Sequence, residues 1–200
     1  MRYPEAIWYP DPTPNVYSGV NPAAGVICHS AEGYRNGLWI GIEQPSVSWH
    51  FSILYDGSVW QHHDLTSRVW HAGSAWGNQN LIGIEHEGLI GEPLTPAQVK
   101  ASVTLTRWIA RQGGWRMERG KTLFEHNEVS STSCPNDRIP WEAYVEEDGV
   151  ELRALTQSEA ISKVLEAAQA VGPDEGQWFR ITGGYRPKPG RTAYLVEVVE

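Results

Sequence analysis

Three side chains that can bind a transition metal stand at or just beyond the ends of apolar runs. His29 ends the run at residues 25–28, His126 ends a second run at residues 121–125, and Cys134 follows across a short polar turn. Two imidazoles and one thiolate can hold zinc and leave a fourth position for water, as in catalytic zinc sites. No short metal-binding motif is present, so spacing alone also allows buried core histidines and a Cys134 that is a small buried residue or a nucleophile.

Two further residues have the chemistry that an activated water needs. Glu85 lies in an apolar segment next to Gly83 and Ile84, where burial of a carboxylate is costly. At the same rim as His29, its carboxylate would accept the water's proton and pass it to a leaving amine; an outward-facing or ion-paired glutamate is the alternative. The hydroxyl of Thr132 could donate a hydrogen bond to an oxyanion, or could serve only the local turn.

The elements that position these side chains follow from hydrophobic pattern and turn residues. Strands are predicted at residues 25–29, 48–54, 59–62, 81–87 and 121–126, with residues 1–23 irregular and residues 30–46 a loop. The Asp56-Gly57 turn predicts that the second and third strands form a hairpin. Thr95, Pro96 and Gln98 are typical of a helix start, and Gly113-Gly114 of its end.

The mixture of strands and helices predicts an α/β fold, a central mixed β-sheet flanked by helices. We expect residues 1–150 to form the catalytic domain. Residues 151–200 would add a helix over 156–170 and β-like runs at 177–182 and 192–199. This extension is either a hairpin that packs on the domain or a small anchoring element.

Composition excludes several classes of protein. Sixteen basic and 24 acidic residues give a formal charge of −8, so we expect no nucleic-acid partner. No apolar run approaches the ~18 residues of a membrane-spanning helix, so we expect no membrane insertion. The first residues lack a basic start followed by an apolar stretch, which predicts no secretory signal, and two cysteines are too few for a disulfide framework.

Six short segments, taken in order, resemble the N-acetylmuramoyl-L-alanine amidase type 2 family, which includes phage endolysins and peptidoglycan recognition proteins. They are VICHS (26–30), VSWHF (47–51) followed by Asp56-Gly57, WHAG (70–73), NLIGIE (80–85), Glu125-His126 and TSCP (132–135). Each segment is common alone, but their order and spacing are specific. The resemblance covers about residues 20–140 and implies a zinc enzyme with that family's fold.

The resemblance also assigns roles to single residues. It implies that Zn²⁺ is bound by His29, His126 and Cys134, that Glu85 is the general base, and that Thr132 assists the oxyanion. Cys134 would then be a thiolate ligand and not the nucleophile.

Two more positions would contact substrate or shape the site, namely His71 and Trp49. Some family members carry a catalytic tyrosine where Trp49 stands. An indole cannot perform the proton chemistry of a phenol, so the base role rests on the glutamate.

The implied function is a phage endolysin that cleaves the amide between N-acetylmuramic acid and L-alanine in bacterial peptidoglycan. We expect a monomer that accumulates in the host cytoplasm and reaches the wall through a holin. One alternative is a non-catalytic recognition module, although such members commonly lack a zinc ligand. Another is an intracellular amidase that recycles anhydromuropeptides, in which Asp usually stands at the position of Cys134. A lysin that also inhibits a partner protein is a third.

Overall fold

The computed structural model describes residues 1–12, 15–145, 178–188 and 191–199, with only the backbone for Val145 and the last two ranges. Contacts divide the chain into two units, Met1–Asp148 and Gly149–Glu200. Among the described residues, no helix is both long and apolar enough to cross a bilayer.

A six-stranded mixed sheet forms the centre of the first unit. The described residues of this unit form β1 (Ile7–Trp8), β2 (Val16–Tyr17), β3 (Val26–Ser30), β4 (Phe51–Ile53), β5 (Val59–Gln61), β6 (Arg68–Val69), β7 (Ile82–His86) and β8 (Leu123–Glu125). The order in the sheet is β1-β5-β4-β7-β3-β8, and β2 pairs separately with β6. Strand β3 is parallel to β7 and β8, whereas β4 and β5 form the predicted antiparallel hairpin. The predicted fold class, a mixed sheet with flanking helices, is therefore confirmed.

In the part of this unit that the structure describes, the α-helices are α1 (Arg35–Ile42), α2 (Ala75–Asn80), α3 (Pro96–Gly113) and α4 (Trp141–Val145). Helix α3 begins as predicted, since the Thr95 hydroxyl accepts from the Gln98 N–H and the Gln98 side chain accepts from the Thr95 N–H. It ends at Gly114, whose φ of 70° is readily adopted only by glycine.

The alternation of side chains along the strands separates the apolar core from the candidate site. In β3, Val26 and Cys28 belong to the main core cluster together with Leu105 and Ile109 of α3. Side chains one residue apart on a strand point to opposite faces, so Ile27 and His29 lie on the other face of the sheet. The same rule places Gly83 and Glu85 of β7 on that face, because Ile82 and Ile84 are in the main core. One face of the sheet thus packs against α3, and the other carries the polar residues.

The expectation of a loop over residues 30–46 is wrong, because residues 35–42 of that range form helix α1. Leu38 and Ile42 lie one helical turn apart and are buried against Trp49, which a sequence window with two glycines does not reveal. A Cβ at Gly41 would lie 3.1 Å from the Trp49 ring, so this glycine permits the close packing. The Glu87 carboxylate also accepts a hydrogen bond from the first N–H of the helix, at Arg35 (2.7 Å). Tertiary contacts therefore stabilise a helix that local propensity disfavours.

The lead-in expected to be irregular at residues 1–23 contains the two-residue strands β1 and β2, so that expectation is wrong in part. In the second unit, β9 (Trp178–Lys188) pairs antiparallel with β10 (Arg191–Val199). The two predicted β-like runs are thus strands, but β9 continues six residues beyond the predicted end at residue 182. The predicted helix at 156–170 lies outside the described residues. The catalytic and extension roles assigned to residues 1–150 and 151–200 stay predictions.

Candidate metal centre

His29, His126 and Cys134 meet at the carboxyl end of β3. Their potential ligand atoms all lie within 4.8 Å of one another, which makes them a candidate metal site within the described part of the chain. His29 is the last but one residue of β3 and is 1% exposed. Its Nδ1 lies 3.9 Å from the Cys134 sulfur.

Local structure brings the other two ligands to this point. His126 starts a short 3-10 turn directly after β8, the strand that pairs in parallel with β3. The N–H of Asn127 donates to the Cys134 carbonyl (2.9 Å), which holds the two turns together. The Ser30 N–H donates to the Cys134 sulfur (3.2 Å), a contact that favours a thiolate.

The donor set fits zinc. The Nε2 atom of His126 is buried and has no hydrogen-bond partner, an arrangement that costs free energy unless a ligand occupies it. Burial lowers the pKa of His126 and lowers that of His29 well below its usual value, so both imidazoles are neutral, as metal ligation requires. Burial raises the pKa of Cys134 to about 12 in the chain alone, and a bound cation reverses that preference.

Glu85 lies beside this cluster. Parallel pairing of β3 with β7 sets Glu85 opposite His29, and its Oε1 lies 3.9 Å from the His29 Nδ1. Burial raises the pKa of Glu85 to about 8, while the charge of Arg138 acts in the opposite direction. Its Oε2 is buried without a hydrogen-bond partner. A carboxylate with such a pKa and an unpaired oxygen is suited to exchange a proton near neutral pH.

The structure brings His71 into the cluster as well. The ring is buried, and its Nδ1 lies 3.0 Å from the Nε2 of His29. Its Nε2 lies 3.3 Å from the carbonyl oxygen of Leu81. Burial lowers the pKa of His71 to about 3, so this ring is neutral too. The predicted substrate contact for His71 stays a prediction.

Thr132 and Trp49 differ in how they relate to the cluster. Thr132 is exposed in the turn before Cys134, and its hydroxyl accepts from the Cys134 N–H (3.2 Å). Trp49 is 6% exposed, packs beneath α1, and donates from Nε1 to the Ser52 hydroxyl (2.8 Å). Its ring therefore presents little surface to a substrate, and its predicted contact is untested, like the oxyanion role of Thr132.

A cleft of about 470 Å³ opens next to His126. Aromatic rings, imidazoles and small polar residues line it, among them Tyr17, Trp70, His71, Gly73, Asn78 and His126. The rings of Tyr17 and Trp70 lie 5.6 Å apart, and each is more than a third exposed. The site is thus accessible from one side to a ligand with both apolar and polar surfaces.

Sequence reasoning missed the residues beneath the site. The guanidinium of Arg138 is buried and donates to the Ser30 hydroxyl (2.7 Å) and to the carbonyls of Glu87 (2.8 Å) and Glu92 (2.7 Å). His86 is buried between the carbonyl of His29 (2.9 Å) and the hydroxyl of Ser102 (2.8 Å). Nothing in the local sequence marks Arg138, since an arginine in a polar turn is usually exposed.

Comparison with known proteins identifies relatives of this chain. Residues 18–137 match the family model described as N-acetylmuramoyl-L-alanine amidase. The endolysin PlyTW of Staphylococcus phage Twort is 31% identical over 136 residues, which are 60% of this chain. The chain spans only 27% of the length of that relative.

Solved structures share the fold. An endolysin N-acetylmuramoyl-L-alanine amidase, LysCS from Clostridium intestinale, aligns with 75% of this chain and 99% of its own (TM-score 0.55, 18% identity). The amidase AmiD from E. coli, in complex with anhydro-N-acetylmuramic acid-L-Ala-D-γ-Glu-L-Lys, aligns with 64% of this chain and 58% of its own (TM-score 0.57, 18% identity).

Proposed function

Since this chain belongs to the N-acetylmuramoyl-L-alanine amidase family, we propose that it is a zinc-dependent peptidoglycan hydrolase. Its substrate bond is the amide between the lactyl group of N-acetylmuramic acid and the L-alanine of the stem peptide. The observation that supports this most directly is the convergence of His29, His126 and Cys134 beside Glu85. Three protein ligands and a neighbouring carboxylate are the parts that metal-assisted amide hydrolysis requires.

His29 and His126 would hold the zinc ion through neutral imidazole nitrogens, and Cys134 through its thiolate. When bound there, zinc supplies a Lewis acid that polarises a carbonyl and lowers the pKa of water. The Ser30 N–H stabilises the thiolate, because it donates to the sulfur. No side chain of the chain acts as a covalent nucleophile in this mechanism.

Glu85 performs the proton transfers. Its carboxylate accepts a proton from the attacking water and later donates it to the nitrogen of L-alanine as the amide breaks. The unpaired Oε2 provides an atom to hold that proton. Burial raises the pKa of Glu85 in the metal-free chain, and a bound zinc ion would lower it again, toward the carboxylate that accepts a proton. Thr132 donates its hydroxyl hydrogen to the oxyanion, since the oxygen already accepts from the Cys134 N–H.

The cleft next to His126 would take the muramoyl end of the substrate. Exposed rings of Tyr17 and Trp70 offer flat apolar surface, on which sugar rings commonly pack, and the cleft volume of about 470 Å³ is in the range of small-ligand sites. Bacterial peptidoglycan is thus the proposed partner. We propose that the protein works on it as a monomer.

The resemblance to a phage endolysin supports a role in lysis of the host. We propose that the protein is made in the host cytoplasm and reaches the wall after a holin opens the membrane. An amidase that recycles anhydromuropeptides is the second candidate, because a neighbour in fold was solved with an anhydromuramoyl peptide. The two candidates differ in substrate and not in the bond that is cut.

Mass spectrometry of a peptidoglycan digest tests the proposal. Purified sacculi are incubated with the zinc-loaded protein, with the protein plus a chelator, and with the matched variant Glu85→Gln. We expect free stem peptides that begin with L-alanine and peptide-free glycan in the first digest alone. Intact muropeptides in all three digests would contradict the proposal.

A second substrate separates the two roles. Soluble anhydromuropeptides are offered under the same conditions as sacculi. Faster cleavage of sacculi supports the endolysin, whereas cleavage restricted to anhydromuropeptides would favour the recycling amidase.

A further inference from the structure

The two nitrogens of His29 have different surroundings. Nδ1 faces the Cys134 sulfur and the Glu85 carboxylate, each 3.9 Å away, whereas Nε2 lies 3.0 Å from Nδ1 of His71. A neutral imidazole carries one hydrogen, and a metal binds only the nitrogen that lacks it. Zinc at Nδ1 therefore requires the His29 hydrogen to be on Nε2, where it points to His71.

The environment of His71 fixes which of the two facing nitrogens is the donor. Its own Nε2 lies 3.3 Å from the carbonyl oxygen of Leu81, and a carbonyl only accepts hydrogen bonds. A neutral His71 must then carry its hydrogen on Nε2, which leaves a lone pair on Nδ1. The Nδ1 of His71 accepts the hydrogen of His29 Nε2, and the hydrogen bonds run in one direction from His29 through His71 to Leu81.

Two neighbours hold the His71 ring in this position. The Asn78 side-chain oxygen accepts from the His71 N–H (2.9 Å), which fixes the backbone. Position 83 faces the ring, and a Cβ there would lie 2.6 Å from Cγ and Nδ1 of His71. Gly83 is thus needed for the imidazole to pack against β7. This is a physical reason for the glycine in the middle of that strand.

We propose that His71 is a positioning residue for the metal site. It orients the His29 ring and holds it in the tautomer whose Nδ1 carries no hydrogen. The proposal rests on the proposed function, because it assigns the role of His71 toward the zinc of that site. A partner for the second nitrogen of a ligating histidine is usually a carboxylate, a backbone carbonyl or water. Here a second imidazole takes that place and passes the hydrogen bond on to a carbonyl.

The tautomer is measurable in the zinc-free wild-type protein. Long-range ¹H–¹⁵N correlation spectra identify which ring nitrogen of each histidine carries hydrogen, with His29→Gln used to assign the signals. We expect both His29 and His71 as Nε2–H tautomers. A hydrogen on Nδ1 of His29 would overturn the proposal, and this result does not depend on any variant of His71 that fails to fold.

A matched pair of variants tests the consequence for zinc. In His71→Asn the side-chain oxygen replaces Nδ1 as acceptor, whereas His71→Leu has no acceptor. We expect the zinc dissociation constant, measured by competition with a chromogenic chelator, to rise roughly 10- to 100-fold in His71→Leu. We expect His71→Asn to recover most of that loss and His29 to lose its single tautomer only in His71→Leu.

Two results would contradict this role. Wild-type zinc affinity in a folded His71→Leu protein would show that His29 needs no partner. A raised KM with unchanged zinc affinity would instead make His71 a substrate contact. Failure of the proposed function gives a different result, namely a zinc-loaded wild-type protein that releases no stem peptides while the tautomers and zinc affinities remain as expected.

Discussion

The buried carboxyl of Glu85 should make the zinc-free protein less stable as pH rises, and Glu85→Gln should remove that dependence. The pKa of this group is about 8 in the folded chain and 4.5 in an ordinary glutamate. The folded chain therefore holds a proton that the unfolded chain has released between these two values. Ionisation of the buried carboxyl lowers the free energy of unfolding. Because the folded pKa is raised, this penalty is absent below pH 4.5, grows as pH rises, and is complete above pH 8.

The size of the effect follows from the same interval. Each pH unit is worth about 1.4 kcal/mol, so the free energy of unfolding should fall by at most ~5 kcal/mol from this group. The Glu85 side chain is 16% exposed, and water that reaches it reduces the penalty to a few kcal/mol. Glutamine has nearly the same shape and no charge, so it avoids the penalty at every pH.

Urea unfolding followed by tryptophan fluorescence, with a chelator and a reductant present, measures this difference. At pH 5 the two proteins should have similar free energies of unfolding, whereas at pH 9 Glu85→Gln should be more stable by a few kcal/mol. The exposed Glu43 provides a control, since Glu43→Gln should change stability equally at both pH values. An equal effect of Glu85→Gln at pH 5 and pH 9 would refute the assignment of a raised pKa to Glu85.

Three other substitutions separate folding from chemistry. Thr95→Ala removes the hydroxyl that caps α3 and should cost about 1 kcal/mol in urea unfolding without any change in zinc affinity; no loss would contradict the capping box. Trp49→Phe removes the hydrogen bond to Ser52 and part of a buried ring, so we expect a loss of roughly 1–3 kcal/mol and an unchanged KM, whereas a raised KM would support the predicted substrate contact. Thr132→Val should keep zinc bound and lower kcat by roughly 10²-fold, and an unchanged kcat would rule out its oxyanion role.

The sequence identified the parts of the fold whose signal is local. Thr95, Pro96 and Gln98 form a capping box wherever they precede an amphipathic run, and α3 begins there. The Asp56-Gly57 turn likewise specifies the β4–β5 hairpin. Helix α1 depends instead on distant partners, because Trp49 packs against it and the Glu87 carboxylate caps its first turn.

The same distinction applies to the candidate site. His29 and His126 lie at the carboxyl ends of the parallel strands β3 and β8, so sequence pattern and family resemblance together placed them at one rim. The arginine beneath the site has no such signal, since the hydrogen-bond partners of Arg138, the Ser30 hydroxyl and the carbonyls of Glu87 and Glu92, are distant from it in sequence. The hydrogen bond between His71 and His29 joins residues 42 positions apart. It also requires glycine at position 83, because a Cβ there would clash with the His71 ring. Contacts of this kind become visible only when the chain is folded.

X-ray absorption at the zinc edge tests the central claim, that one zinc ion is held by His29, His126 and Cys134. The zinc-loaded wild type should show one sulfur scatterer at about 2.3 Å and two imidazole nitrogens at about 2.0–2.1 Å, with a light atom in the remaining position. In Cys134→Ser the sulfur scatterer should disappear. A wild-type spectrum without sulfur, or a Cys134→Ser spectrum that still contains it, would contradict the account.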